Sequence, residues 1–167
     1  MKIYLAGPDV FRPDVDAWAE SARALCRHYG FEPLLPVDND EIKPEGIFRS
    51  NITLIRKAQI VIANLNPFRG LEPDSGTAFE LGYAFALDKQ IYGYVTFLDT
   101  LAKRVEIAEG QCVPSANGRL ADREGMLIEN FNLPCNLMLA VPAYIVEGGL
   151  EECLRAVREG QGMVIHS

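Results

Sequence analysis

The chain has 167 residues, 49% of them hydrophobic and 23% charged, and a formal net charge of -7. This length and composition fit one globular domain, residues 1–167, with a proper core. The acidic balance argues against a nucleic-acid partner, which would need a basic stripe. The longest apolar runs are too short to cross a bilayer, and the N-terminus lacks the charged-then-apolar layout of a signal peptide.

The cysteines and histidines argue against a disulfide framework and against a metal site. The four cysteines are widely spaced and form no Cys-x-x-Cys pair, so we interpret them as reduced thiols of a cytoplasmic protein. His28 and His166 are the only histidines and lie far apart, which excludes a His-rich metal site and argues against a Ser-His-Asp triad.

Short apolar runs alternate with helical patterns along the chain. The predicted strands are 2–6, 31–35, 59–65, 90–97 and 144–147. The predicted helices are 14–29, with Gly30 as its C-terminal cap, 46–57, 74–88 and 150–159. Strands separated by helices imply an α/β fold, a flavodoxin-like or Rossmann-like parallel sheet of five strands with helices on both faces.

Two details of this pattern are specific expectations. In helix 46–57 the spacing predicts Ile47, Ile55 and either Ile52 or Leu54 on the inward side. The polar segment 99–130 is long for a loop, and we expect a mobile insert that could cover the site as a lid.

The candidate site follows from where the strands end. In an open parallel sheet, ligands bind beyond the carboxyl ends of the strands. The segments 7–11, 36–40 and 64–80 leave the first three predicted strands, and each carries acidic residues. Carboxylates that converge there would repel a phosphate, so we expect a neutral or cationic substrate rich in hydroxyls. No glycine-rich phosphate loop is present, which removes the ordinary dinucleotide and nucleoside triphosphate interpretations.

Glu80 is the most informative single residue. It lies in the second turn of the predicted helix 74–88 among apolar neighbours. A charge is costly to bury there unless it is paired, so we interpret Glu80 as a reactive group. The alternative is a glutamate on the solvated side of an amphipathic helix.

At this point the chain resembles the nucleoside 2-deoxyribosyltransferases over nearly its whole length. Five segments carry the resemblance, in this order: Ile3-Tyr4-Leu5-Ala6-Gly7-Pro8 with Phe11, Pro36-Val37-Asp38-Asn39, Asn51, Asp74-x-Gly76-Thr77-Ala78-x-Glu80-Leu81-Gly82, and Asn136-Leu137-Met138. The resemblance implies base exchange between a 2'-deoxyribonucleoside and a free nucleobase, purines included. It also implies retention at the anomeric carbon, a covalent deoxyribosyl-glutamate intermediate and no cofactor or metal.

The resemblance also implies roles for particular residues. Glu80 is expected to be the nucleophile, oriented by the Tyr4 hydroxyl, and Asp74 is expected to accept a hydrogen bond from the sugar 5'-hydroxyl. Asn136 and Met138 are expected to complete a neighbouring subunit's site, which implies a homo-oligomer. Simpler structural roles remain open: a helix N-cap for Asp74, packing for Tyr4, a turn for Asn136 and core filling for Met138.

The end of the site that would hold the base is less defined. Some members of the family have an aspartate at the position of Asn51, where it is thought to exchange a proton with the base; an asparagine can hydrogen-bond but cannot deliver a proton. Asp38 and Asp40 are the other carboxylates expected near the base, unless they serve a turn, and solvent is another proton source. Asn51 could also be a polar surface residue or a residue at the start of a helix. Gly7 and Phe11 are expected to belong to the substrate-binding wall.

Other functions compete with this one. A 2'-deoxynucleoside 5'-monophosphate N-glycosidase would keep the fold, but relatives of that kind tend to carry a small hydroxyl residue at position 74. A carboxylate there would cost on the order of several kcal/mol against a phosphate dianion. The cytokinin-activating phosphoribohydrolases share the Gly-Thr-x-x-Glu spelling of residues 76–80, but their preceding Pro-Gly-Gly turn is absent. A non-catalytic nucleoside-binding module fits the fold but has no need for Glu80.

Overall fold

The computed structural model describes residues 1–110, 112–115 and 118–161, with residue 113 described by its backbone alone. The strands are β1 Lys2–Ala6, β2 Glu32–Leu34, β3 Ile60–Asn64, β4 Gln90–Val95, β5 Val113–Pro114, β6 Leu120–Ala121 and β7 Tyr144–Glu147. The helices are α1 Val15–His28, α2 Pro44–Lys57, α3 Ser75–Ala86, α4 Leu101–Glu109, α5 Leu137–Ala140 and α6 Leu150–Arg158, and a 3-10 helix, Pro8–Phe11, follows β1.

Five strands form one sheet in the order β2-β1-β3-β4-β7, and every neighbouring pair is parallel. The chain leaves β1 toward β2 on one side and continues from β3 toward β4 on the other. The strand order therefore reverses between β1 and β3, which defines the crevice where this class of sheet binds ligands. The predicted α/β fold is confirmed. Counted within this sheet alone, with β7 as the fifth strand, the order is 2-1-3-4-5, which is the flavodoxin-like one.

Alternation along the buried strands builds a core on each face of the sheet. Ile3 and Leu5 of β1 point toward α1 and α6, whereas Tyr4 and Ala6 point toward α2 and α3. All four side chains are at most 4% exposed. Because successive residues of a strand face opposite sides, the register of β1 alone places Tyr4 on the face that carries α3.

The predicted elements are confirmed, with differences at their ends. Helix α2 begins at Pro44 rather than Gly46, since proline is well suited to the first helical position. Of the inward residues predicted on α2, only Ile55 is fully buried. The prediction for Ile47 is wrong, because its side chain is 39% exposed and lines a cavity instead of the core.

The segment 99–130, expected to be a long mobile insert, contains regular secondary structure, namely helix α4 and the strands β5 and β6. Thr100 caps α4 by accepting a hydrogen bond from the Lys103 amide at 3.1 Å. The short strands β5 and β6 pair antiparallel, so that Val113 faces Ala121 across the hairpin. Within the described residues, no helix is long and apolar enough to cross a membrane.

Candidate active site

The cavity that is lined by Glu80, Asp74 and Asn51 lies at the crevice between the ends of β1 and β3. Gly7 follows β1 and comes so close to β3 that a Cβ atom on it would lie 2.9 Å from the Cβ of Asn64. A glycine therefore lets the two strand ends approach each other. Helix α3 starts shortly after β3, and α2 closes the same side of the sheet.

The volume of this cavity is about 470 Å³, within the range of small-molecule sites. We call it the switch-point cavity. Its lining residues come from the loop after β1, the loop after β2, and helices α2 and α3: Gly7, Val10, Phe11, Pro36, Val37, Asn39, Glu41, Ile47, Asn51, Asp74, Gly76, Thr77 and Glu80. A larger hollow of about 1030 Å³ lies beside it over the outer side of α2, but Glu80 and Asp74 do not line that hollow.

Glu80 enters the cavity from the second turn of α3 and is held by a residue from the sheet. The Tyr4 hydroxyl donates a hydrogen bond to Glu80 Oε1 at 2.5 Å, and Tyr4 itself is fully buried. Burial and the neighbouring carboxylate both raise the pKa of Tyr4, so the phenol keeps its proton and remains a donor. The contact fixes one oxygen of Glu80 and leaves Oε2 for a ligand.

The electrostatics of Glu80 differ from those of a surface glutamate. Burial raises the pKa of this carboxyl to about 7; the Tyr4 hydrogen bond works in the opposite direction, and the nearby charge of Asp74 raises the pKa further. A group poised near neutral pH in a cavity is a typical candidate for a functional residue.

Asp74 is the N-cap of α3, as its structural interpretation predicted. Its Oδ2 accepts hydrogen bonds from the Thr77 amide at 2.9 Å and from the Thr77 hydroxyl at 3.1 Å. Both bonds use the same oxygen, and Oδ1 has no protein partner among the described residues. The residue can therefore cap the helix and still present one carboxylate oxygen to the cavity.

Asn51 lies on α2 and lines the same cavity. Its Oδ1 atom is buried and has no hydrogen-bond partner within the described residues. An unsatisfied buried carbonyl costs on the order of 1–3 kcal/mol, and a ligand donor is one way to satisfy it. This arrangement fits a contact with a bound molecule better than a surface role.

Phe11 lies at the mouth of the cavity and is 57% exposed. Its ring stacks on Phe68 with centroids 5.5 Å apart, and the Arg69 guanidinium lies over both rings. The loops after β1 and β3 are thus joined by an aromatic contact at the rim. With Gly7 at the base, the two wall residues expected from the sequence are brought together here.

Asp38 and Asp40 do not line the switch-point cavity but the neighbouring hollow. Asp38 accepts hydrogen bonds from Arg23 Nη2 at 2.5 Å and from the Leu35 amide at 2.8 Å. It therefore fixes the turn after β2 and ties it to α1, as turn chemistry predicts. Glu41, which the sequence analysis did not single out, reaches the cavity in their place.

Asn136 and Met138 lie on α5, apart from the cavity of their own chain. Asn136 caps α5 through a 3.0 Å bond from the Met138 amide to its Oδ1, and its Nδ2 donates to Glu129 at 2.8 Å. Met138 is 74% exposed, which excludes the core-filling interpretation.

A series of hydrogen-bonded polar side chains at the ends of β1, β3 and β4 was also not predicted from the sequence. Asn64 donates to the buried Asp9 carboxylate at 2.8 Å and accepts from Asn66 Nδ2 at 2.8 Å, and Asn66 Oδ1 accepts from the Thr96 amide. These bonds fix the loops on either side of the crevice. The signal in the sequence is the pair of asparagines that flank the end of an apolar strand.

The described residues contain no cluster of His, Cys, Asp and Glu that could hold a metal ion.

Comparisons with known proteins place the chain in a family. The family model for nucleoside 2-deoxyribosyltransferases matches residues 3–138. A solved 2-deoxyribosyltransferase of Leishmania mexicana is similar with a TM-score of 0.78 and 36% identity, covering 95% of this chain and 97% of that one. Its counterpart from Bacillus psychrosaccharolyticus is 25% identical over 56% of this chain and 72% of its own, with a TM-score of 0.47. An uncharacterized protein of Schizosaccharomyces pombe is 26% identical over 81% of this chain and 74% of its own length.

The fold and the family match are those of α/β proteins that bind nucleoside substrates. The chain belongs to the nucleoside 2-deoxyribosyltransferase family, which is a family of enzymes.

Proposed function

We propose that this protein is a nucleoside 2-deoxyribosyltransferase that exchanges the nucleobase of 2'-deoxyribonucleosides. Glu80 is the nucleophile, the substrates are a deoxynucleoside and a free nucleobase, purines included, and no cofactor takes part. The observation that carries the proposal is the Glu80 carboxylate. It lines the switch-point cavity, is fixed by the buried Tyr4 hydroxyl at 2.5 Å, and has its pKa raised to about 7.

The proposed reaction has two displacements at the anomeric carbon. Ionised Glu80 attacks through Oε2 while the bond to the base breaks, and an ester between the sugar and the enzyme forms. The incoming base then attacks the same carbon and releases Glu80. Each step inverts the carbon, so the product retains the original configuration. Tyr4 keeps its proton and holds Oε1, which turns Oε2 toward the substrate.

Asp74 supports the sugar in this proposal. Its Oδ2 is committed to Thr77 at the start of α3, so Oδ1 remains to accept a hydrogen bond from the 5'-hydroxyl. Glu80 follows Asp74 by six residues on the same helix, and the cap therefore sets the position of the nucleophile as well. A 5'-phosphate would meet the charge of Asp74 directly, which favours the free nucleoside over its monophosphate.

We further propose that the protein is a homo-oligomer in which Asn136 and Met138 complete a neighbouring subunit's site. Met138 is a large apolar side chain held exposed at the start of α5. Glu129 fixes that start, because its two oxygens accept from Asn136 Nδ2 and from the Leu137 amide at 2.8 and 2.9 Å. The family resemblance assigns these two positions to a neighbouring subunit's site, and the exposure of Met138 leaves it accessible for such a contact.

A chromatographic assay tests the proposed function. Purified protein is incubated with deoxyinosine plus adenine, and separately with deoxyadenosine monophosphate alone. We expect deoxyadenosine only when adenine is supplied, and repeating the assay with cytosine as the acceptor defines the range of bases. Release of adenine from the monophosphate, without exchange in the first reaction, would identify an N-glycosidase instead. Absence of both reactions would favour a binding module.

A further inference from the structure

The end of the cavity that receives the base has no proton donor at the expected position. Asn51 occupies that position on α2, and an amide cannot deliver a proton to a leaving base. Its Oδ1 is buried, has no partner in the part of the chain that the structure describes, and can only accept a hydrogen bond. A neutral purine leaves as a poor anion unless a ring nitrogen is protonated, so the proton has to come from another group or from solvent.

The other acidic residues near this end are engaged elsewhere. Asp38 is paired with Arg23 and with the Leu35 amide, and it faces the neighbouring hollow. Asp40 also lines only that hollow. Glu80 is assigned to the attack on the sugar, and Asp74, the N-cap of α3, is assigned to the 5'-hydroxyl.

Glu41 is the remaining carboxylate that lines the cavity. It is exposed and lines the neighbouring hollow as well. Within the described residues, no donor or cation engages its side chain. The carboxyl lies against Gly46 of α2, where a Cβ atom would lie only 2.7 Å from Glu41 Cδ and would collide with its Oε2. Asn51 of the same helix lines the cavity together with Glu41.

From this arrangement we propose that Glu41 is a catalytic residue that exchanges a proton with the nucleobase. The inference rests on the proposed transferase reaction. As the bond between the anomeric carbon and the base breaks, its electron pair moves into the ring and the Glu41 carboxyl gives its proton to a ring nitrogen. In the second displacement the Glu41 carboxylate takes a proton from the incoming base, and the acid is restored. Asn51 Oδ1 accepts a hydrogen bond from an N–H group of the base in both steps.

The role of Glu41 is tested by measuring how fast free base is released from two nucleoside donors. The measurement is made with and without an acceptor base. Deoxyinosine needs protonation to lose its base, whereas 7-methyl-2'-deoxyguanosine already carries a positive charge on the ring and needs none. We expect Glu41→Gln to lower kcat with deoxyinosine by about 100-fold, within the usual range for a lost general acid. With the methylated donor, its kcat should stay within about threefold of the wild-type value. Glu45→Gln is the matched control, because Glu45 lines only the neighbouring hollow.

Two further variants separate a lost proton from a disturbed fold. Asn51→Asp, added to Glu41→Gln, returns an acid to the base and should restore kcat with deoxyinosine at least about tenfold. Gly46→Ala displaces the Glu41 carboxyl and should lower the same rate, although alanine favours the helix.

An equal loss on both donors, or no loss with deoxyinosine, would overturn the role of Glu41. If the wild type releases bases from both donors without transferring them, the proposed transferase is wrong. The comparison of donors still decides the role of Glu41 in that case.

Discussion

Glu80 has to satisfy two opposing requirements. It must be ionised to attack the sugar, yet the burial that places it at the reacting carbon disfavours its charge. The Tyr4 hydroxyl offsets part of this cost, because a hydrogen bond to the charged form stabilises that form. The result is a carboxyl with a pKa of about 7, so a substantial fraction of the molecules carries the nucleophile at neutral pH.

The raised pKa predicts how activity and stability depend on pH. The ionisation of Glu80 should give kcat/KM a rising limb with pH whose midpoint lies at about 7. The folded chain holds this proton more tightly than the unfolded chain, so the free energy of unfolding should fall as pH rises from 4.5 to about 7. Glu80→Gln removes this effect and should be more stable than the wild type by on the order of 3 kcal/mol at pH 8, but not at pH 4.

Urea unfolding at the two pH values measures this difference. Tyr92→Phe is a useful control, since Tyr92 is remote from the cavity lining and should leave the pH dependence unchanged. A stability difference that is the same at both pH values would show that Glu80 is an ordinary solvated glutamate.

The two roles assigned to Asp74 can be separated by changing the residue and the substrate. Asp74→Ala removes the cap of α3 and should lower the free energy of unfolding by about 1 kcal/mol, while Asp74→Asn keeps an acceptor and should change it little. Loss of the bond to the 5'-hydroxyl should lower kcat/KM of Asp74→Ala for deoxyinosine by about tenfold or more. With 2',5'-dideoxyinosine, which lacks that hydroxyl, the same variant should lose little. An equal loss on both donors would leave only the helix cap.

Among the elements, sequence periodicity was sufficient wherever an element packs on the main sheet. The strands β1 and β7 match their predicted bounds, and α1 and α6 differ from theirs by at most one residue at each end. Their apolar residues pack into the two large cores on the faces of the sheet, which makes the pattern clear. The position of Ile47 was wrong because apolar residues also line a ligand cavity, and periodicity does not separate a cavity wall from a core.

Helix α4 was missed for a related reason. Its buried residues Ala102 and Val105 contact a small separate cluster with Ile128, so the apolar face is narrow and the segment appears polar. The local signals were present: Thr100 is a good N-cap, and Gly110, with a φ of 93°, ends the helix as glycine commonly does.

The position of α4 predicts a stabilising role for Arg104. Its guanidinium donates to the Leu71 carbonyl at 2.8 Å and to the Pro134 carbonyl at 2.7 Å, and so joins α4 to the segments before α3 and α5. Arg104→Met keeps the apolar stem but loses both bonds, and should lower the free energy of unfolding by about 2 kcal/mol. Arg123→Met is the control, because that side chain is 72% exposed and its ion pair with Glu109 is long, at 4.0 Å. This change should lower the free energy of unfolding by less than about 0.5 kcal/mol. Equal effects would contradict the role of Arg104.

At the scale of the whole molecule, the predicted topology was enough to point to the candidate cavity. The strand order β2-β1-β3-β4-β7 puts the crevice between β1 and β3, and the candidate residues Gly7, Asp74 and Glu80 follow those strands. The base end could not be predicted in the same way. Asp38 is paired with Arg23 of α1, and no local sequence pattern predicts an ion pair between two separate elements.

The proposed oligomer predicts that two inactive variants restore each other. Glu80→Gln lacks the nucleophile, and Met138→Glu should spoil the site of a neighbouring subunit while leaving its own fold intact, since Met138 is exposed. After unfolding and refolding together, roughly a quarter of the wild-type activity should return, because half of the symmetric pairs are mixed and each mixed pair has one intact site. Refolding each variant alone is the control. No recovery, with oligomers present, would show that Met138 does not serve another subunit.

The most direct test of the account is to identify the covalent intermediate. Wild-type protein and Glu80→Gln are mixed with excess deoxyinosine, quenched in acid within milliseconds to seconds, and analysed by intact-protein and peptide mass spectrometry. The account predicts a mass gain of one deoxyribosyl unit on the wild-type peptide that contains Glu80, its disappearance after adenine is added, and no gain for the variant. A deoxyribosyl unit on a different residue, or base exchange by Glu80→Gln at the wild-type rate, would contradict the central role of Glu80.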